Sequence, residues 1–170
     1  MMNIFFDTEF THLPGLLDLV PPGLVSIGCV SQNDTKFYAE NANFQVELCS
    51  NFTTEVVLPF LEGGDVSMPY QMVSKQLKEY IENFESEVTM WCDSPYHDWP
   101  FIEHMFDHWG WPSNLAKKPS WHTKDLDFIT GVEQAFNTFV PKLRRHHALD
   151  DAIANRYGFL AQKMCKNLQT

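Results

Sequence analysis

Apolar positions along this chain follow two different periods, and the switches between them mark out its elements. Asn3 to Glu9 opens with Ile4, Phe5 and Phe6 and runs into Asp7-Thr8-Glu9, which predicts a strand with an acidic end. Phe10 to Gly23 is loop-like, broken by Pro14, Gly15, Pro21 and Pro22. Leu24 to Ser31 is a β-rich apolar run and Thr35 to Ala39 alternates, with Gln32-Asn33-Asp34 suited to a hairpin turn between them. Three consecutive antiparallel strands are therefore expected.

The period then lengthens. Ser50 to Leu61 sets Val56, Val57, Phe60 and Leu61 on one side of a helix whose end is blurred by Pro59. Pro69 to Phe84 is a clearer helix, with Met72, Val73, Leu77, Tyr80, Ile81 and Phe84 spaced three and four apart. Val88 to Asp93 predicts a fourth strand, again ending in an acid. Asp98 to Trp109 predicts a helix with Phe101, Ile102, Met105 and Phe106 inward. Trp121 to Lys124 predicts a short fifth strand, and helices are expected near Leu126–Phe136 and over Leu149–Lys166. The order is that of a mixed α/β fold, a five-stranded sheet flanked by helices with its first three strands antiparallel. With no repeat, linker or low-complexity segment, residues 1–170 are expected to form a single domain.

Composition changes this picture little: 44% hydrophobic and 20% charged residues suit a globular protein. No apolar run approaches about eighteen residues, so no membrane partner is expected. The opening MMNIFFDTEF has an acidic pair and no basic segment, and a cytoplasmic location is expected. Four scattered cysteines without a C-x-x-C pair imply reduced thiols rather than a zinc cluster. Charge changes more. A net charge of −10 by itself opposes a nucleic-acid partner, because phosphate binding usually needs a basic face. Yet bound cations neutralise acidic residues, and Lys117, Lys118, Lys142, Arg144 and Arg145 gather late in the chain. A local patch can serve a single-stranded end.

Three places carry candidate chemistry. Asp7 and Glu9, two apart on a strand, project from one face, and paired carboxylates there are costly unless neutralised. Mg²⁺ or Mn²⁺ neutralises them well; a solvated strand end is the plainer alternative. Asp98 stands where a helix begins, as a ligand or as an N-cap, with Asp93 its rival. In Arg145-His146-His147-Ala148-Leu149-Asp150-Asp151, a histidine precedes a helix and an acid stands in its first turn. Acids there also complement the helix dipole.

Taken in order, FFDTEFT, YHDWPFI and HHALDDA resemble the three motifs of the DEDDh group of 3′→5′ exonucleases, which share a ribonuclease-H-like fold. LVSIG fits that group's second strand, and the resemblance spans roughly residues 3–160. The D-x-P-x-H-D-W form of the second motif looks like the small bacterial and phage 3′→5′ exoribonucleases. Many relatives carry Asn four residues before the motif's Asp, where this chain has Ser94.

The resemblance implies that Asp7, Glu9, Asp98 and Asp151 hold two divalent cations, Mg²⁺ or Mn²⁺, with His146 rather than His147 as general base. It places Phe10, Thr11 and His12 at the terminal nucleotide, and Arg145 is a candidate for phosphate. Phe10 reads equally well as a core side chain, and for Arg145 plain solvated surface is the slightly better reading. The implied substrate is the 3′ end of single-stranded RNA, favoured, or DNA, cut to nucleoside 5′-monophosphates. Relatives are often homodimers, which the aromatic surplus permits here without requiring it. Two rivals stand beside this reading: an inactive ribonuclease-H-like binding module and a small-molecule phosphodiesterase.

Overall fold

The structure is a computed structural model that describes residues 1–17, 20–122 and 124–168. A six-stranded sheet runs through its centre. Its strands are β1 (Met2–Phe10), β2 (Leu24–Ser31), β3 (Lys36–Asn41), β4 (Ser67–Met68), β5 (Val88–Cys92) and β6 (Ser120–Trp121), in spatial order β4-β3-β2-β1-β5-β6. β1, β2 and β3 pair antiparallel, and the turn between β2 and β3 is too short for a parallel crossover. β5 joins β1 in parallel, after a crossover that contains helix α1 (Tyr70–Glu82). Helix α2 (Pro95–Trp109) links β5 to β6, and α3 (Leu126–Thr138) and α4 (Ala148–Leu168) follow.

Alternation along β1 divides the core into two layers. Ile4 and Phe6 point to one side, where Val73, Leu77 and Ile81 of α1 and Ile102, Met105 and Phe106 of α2 meet them. Phe5 points to the other, against Ala135 and Phe136 of α3 and Ala152 and Ile153 of α4. Each fully buried side chain of this size contributes about 1.5–3 kcal/mol. Both layers converge on β1, so its C-terminal end is fixed from above and below.

Two expectations need correction. The sheet has six strands, not five, because Ser67–Met68 pairs in parallel with Glu40 and Asn41 at the end of β3. Two residues carry no readable period. The helix expected over Ser50–Leu61 is present over 51–60 but is not a regular α-helix: it turns π-type over Thr53–Val57 and 3₁₀ over Leu58–Phe60. Pro59 explains the break: it supplies no N–H and its ring crowds the preceding turn. The expected strand at Trp121–Lys124 is seen as Ser120–Trp121, and Thr123 lies outside the described residues.

Candidate active site

Asp7 and Glu9 lie near the end of β1, a central strand flanked by β2 and β5. Their two-residue spacing turns both carboxylates to the α4 side. Thr8 between them faces the α2 side, and its hydroxyl donates to Asp98 Oδ1 at 2.7 Å. This bond tethers α2 to β1. Asp98 does not cap α2. Ser94 holds the cap position, and Asp98 lies inside the first turn, only 3% exposed, with its N–H donating to the Ser94 carbonyl.

α4 arrives by a different device. Gly28 on β2 is the register partner of Asp7, and the α4 N-terminus lies directly on it. A Cβ at Gly28 would stand 2.1 Å from the Leu149 nitrogen and 2.2 Å from its Cα. Only glycine permits that approach, and the approach carries Asp151 to the acidic end of β1. Just before the helix, His146 has φ of +63°. Such a conformation costs a non-glycine residue about 1–3 kcal/mol and points to a functional constraint. It turns the His146 ring into the cleft, edge-on to Phe52 at 4.9 Å.

The result is a 320 Å³ cleft lined by Asp7, Glu9, Asp93, Asp98, His146 and Asp151, with Phe10, Phe52, Phe136, Arg145 and Asn155 around them. Glu9, His146 and Asp151 form one group whose ligand atoms lie within 4.8 Å of one another; Asp7, Asp93 and Asp98 form a second. Burial, then mutual repulsion, raises the acids. Glu9 is pushed up to about 8 by burial and by Asp151 and Asp98. Asp7 is raised well above the carboxylate range by burial and by the four other acids. Asp98 and Asp151 each rise to about 7, burial outweighing the hydrogen bonds they accept. His146 is held below the usual histidine value by burial and by Arg145.

Such an assembly of carboxylates calls for positive charge. Asp98 Oδ2 is buried without any hydrogen-bond partner. Clustered carboxylates with an orphaned buried oxygen fit hard divalent cations, and Asp7, Glu9, Asp98 and Asp151 could hold them, with His146 beside Glu9 and Asp151.

Other candidates fall elsewhere. His147, the rival of His146, is 2% exposed and faces away, stacked on Tyr38 and close to Asp150, Arg144 and Glu62. Thr11 and His12 are turned inward. The Thr11 hydroxyl accepts from the Gly23 N–H, and the His12 ring pairs with the Thr11 hydroxyl and with the carbonyls of Leu48 and Val20. Both brace the loop after β1, and His12 also lines, with Glu9 and Phe10, an apolar pocket beside the acids. Phe10 does line the cleft, packed on Phe101 and His97. Arg145 stands at the rim, held by both oxygens of Glu133 and lying over Phe136. His104 and His108 have the four-residue spacing zinc can use. No third ligand gathers with them among the described residues, and His104 stacks on Tyr70. Sequence reasoning missed Phe52 and Asn155, because neither belongs to a chemical pattern, and it counted Asp93 only as a substitute for Asp98.

No family model matches the chain, and no curated protein does. Solved structures do. One is a 3′-exonuclease in 3′-end-specific recognition of a histone mRNA stem-loop, with a TM-score of 0.61 at 14% identity over 96% of this chain and 64% of that one. Another is the nuclease domain of 3′hExo, a DEDDh family member bound to rAMP, with a TM-score of 0.56 at 14% identity over 96% and 93%. The fold is that of the DEDDh 3′-exonucleases. The zinc-bound E. coli ExoI–ssDNA complex shares this ribonuclease-H-like exonuclease fold at a TM-score of 0.59 and 12% identity, over 98% of this chain and 41% of that one. The chain thus spans less than two thirds of the first and third of these proteins. At such identity the likeness is one of fold, and the chemistry has to be argued from the cleft.

Proposed function

We propose that this chain is a DEDDh-type 3′→5′ exonuclease that releases nucleoside 5′-monophosphates from single-stranded nucleic acid, RNA favoured, using two divalent cations and a histidine base. One observation carries the reading: Asp7, Glu9, Asp98, His146 and Asp151, drawn from three separate segments, line a single cleft in an exonuclease fold. Mg²⁺ or Mn²⁺ held by the four acids would supply electrostatic stabilisation of the phosphodiester and of the leaving 3′-oxygen. His146 accepts the proton of the attacking water. Its lowered proton affinity keeps the ring neutral at physiological pH, and Phe52 holds it edge-on toward the cleft. A 380 Å³, mostly apolar pocket opens beside the acids, where Glu9 and His12 join Phe10, Leu13, Leu16 and Phe52 in its lining. Its size suits a terminal nucleoside.

A phosphodiesterase acting on small molecules is favoured by one feature. Arg145 is the only lysine or arginine among the residues lining the cleft, and its partner is Glu133. One assay separates the two. With 5′-labelled single-stranded RNA and DNA of equal sequence, a Mg²⁺- or Mn²⁺-dependent ladder shortening from the 3′ end is expected, fastest on RNA. EDTA and Asp7→Asn should each abolish it. Intact oligonucleotides alongside hydrolysis of a simple phosphodiester would replace the exonuclease reading with its rival.

A further inference from the structure

A fifth carboxylate stands among the acids that the proposed function uses. Asp93 follows β5 directly, and its ligand oxygen lies within 4.8 Å of those of Asp7 and Asp98. A plain structural role is available to it. Lys124 Nζ reaches Asp93 Oδ2 at 2.9 Å, and an ion pair this exposed contributes about 0–1 kcal/mol.

That role does not explain the company Asp93 keeps. An ion pair with Lys124 could form anywhere on the surface, whereas this carboxylate stands next to Asp7 and Asp98 and adds repulsion to both. The same group contains a carboxylate oxygen that the protein leaves unanswered. Asp98 is 3% exposed, its Oδ1 is taken by the Thr8 hydroxyl, and its Oδ2 is buried without a partner. A buried unpaired carboxylate oxygen beside two further acids is costly in its ionised form unless a cation sits against it. Two of the three acids belong to the set already assigned to metal, and the third stands within ligand distance of both.

We propose that Asp93 is a fifth metal ligand, joining Asp7 and Asp98 around one divalent cation, with Lys124 as the counter-ion that competes for the same carboxylate. The inference rests on the metal-dependent reading above. It makes the two cation positions unequal. One gathers three carboxylates, while the other relies on Glu9 and Asp151 with whatever share of Asp7 remains. It also gives Lys124 a direction: its ammonium weakens cation binding, so its removal strengthens it.

Calorimetric Mn²⁺ titration of the full chain, without substrate, tests this on wild type, Asp93→Asn and Lys124→Ala. Asp93→Asn should lower affinity at one class of site by at least about tenfold and leave the other within about twofold. Lys124→Ala should tighten binding several-fold. If Asp93 serves only the ion pair, the Asp93→Asn isotherm superimposes on wild type, or both variants move in one direction; either result overturns the proposal. Lys124 is half exposed, so Lys124→Ala keeps the test decisive even if Asp93→Asn folds poorly. Wild type that binds no Mn²⁺ overturns both this inference and the metal-dependent function. Wild type that binds Mn²⁺ with Asp93→Asn unchanged overturns this inference alone.

Discussion

At the residue scale, two adjacent histidines show how a one-position shift separates chemistry from architecture. His146 adopts a left-handed backbone and turns into the cleft beside Glu9 and Asp151. His147 is buried under Tyr38 and faces Glu62, Arg144 and Asp150. His146→Ala is expected to cut turnover by about 10²–10⁴, the usual contribution of a general base, with Mn²⁺ affinity and unfolding midpoint little changed. His147→Ala should instead lower stability by about 1–3 kcal/mol, because it strips partners from a buried polar network. Steady-state kinetics and thermal unfolding of both variants check this. A greater loss of turnover in His147→Ala would show the base to be misassigned.

At the scale of elements, the site depends on how closely α4 approaches the sheet. The helix N-terminus rests on the backbone of Gly28, and that contact sets the distance from Asp151 to Asp7. The colliding atoms belong to the backbone of Ala148 and Leu149, so no rotamer change can relieve an added methyl group. Gly28→Ala is expected to cost at least about 1–3 kcal/mol, the range for overpacking a tight interior. It should also remove metal-dependent turnover by displacing Asp151. A variant with wild-type unfolding midpoint and activity would show that the approach is not required. The Thr8–Asp98 hydrogen bond does the corresponding work for α2, on the opposite face of β1.

At the scale of the whole molecule, five acids share one low-dielectric cleft in a chain of net charge −10. In the metal-free state Glu9 titrates near 8 and Asp98 and Asp151 near 7, against about 4 for unfolded carboxyls. Folded-state values above unfolded ones mean the native state holds more protons. The stability this lends is complete below about pH 4 and is lost as pH rises through 7 to 8. The lowered histidines act the other way, below about pH 6.5, so the interval from 6.5 to 8.5 isolates the acids. The melting temperature in EDTA should fall across that interval, and saturating Mg²⁺ should stabilise the protein by an amount that grows with pH. Parallel unfolding curves with and without Mg²⁺ would show that these acids do not bind it.

Much of this was readable in the residue order. β1 and β2 showed as short apolar runs because both of their faces are buried, and α1 and α4 as longer segments whose apolar residues recur at about 3.6-residue spacing. The acidic end of β1 and the histidine before α4 were equally visible, since their residue types and spacings are local. The two-residue strand β4 was not, because it is too short to repeat, and the helix around Pro59 was visible without its π and 3₁₀ geometry. Other decisions belong to tertiary structure alone. Thr8 fixes Asp98 from 90 residues away, Gly28 admits a helix begun 120 positions later, and Phe52 meets His146 across the cleft. Asp93 and Asp98 read as rivals in sequence because each follows the same strand, yet both reach Asp7 once α2 takes its first turn. Sequence determines which chemical groups are present and the period with which they recur. Which groups face one another is decided by packing, because contact between distant segments depends on the shape of everything that lies between them.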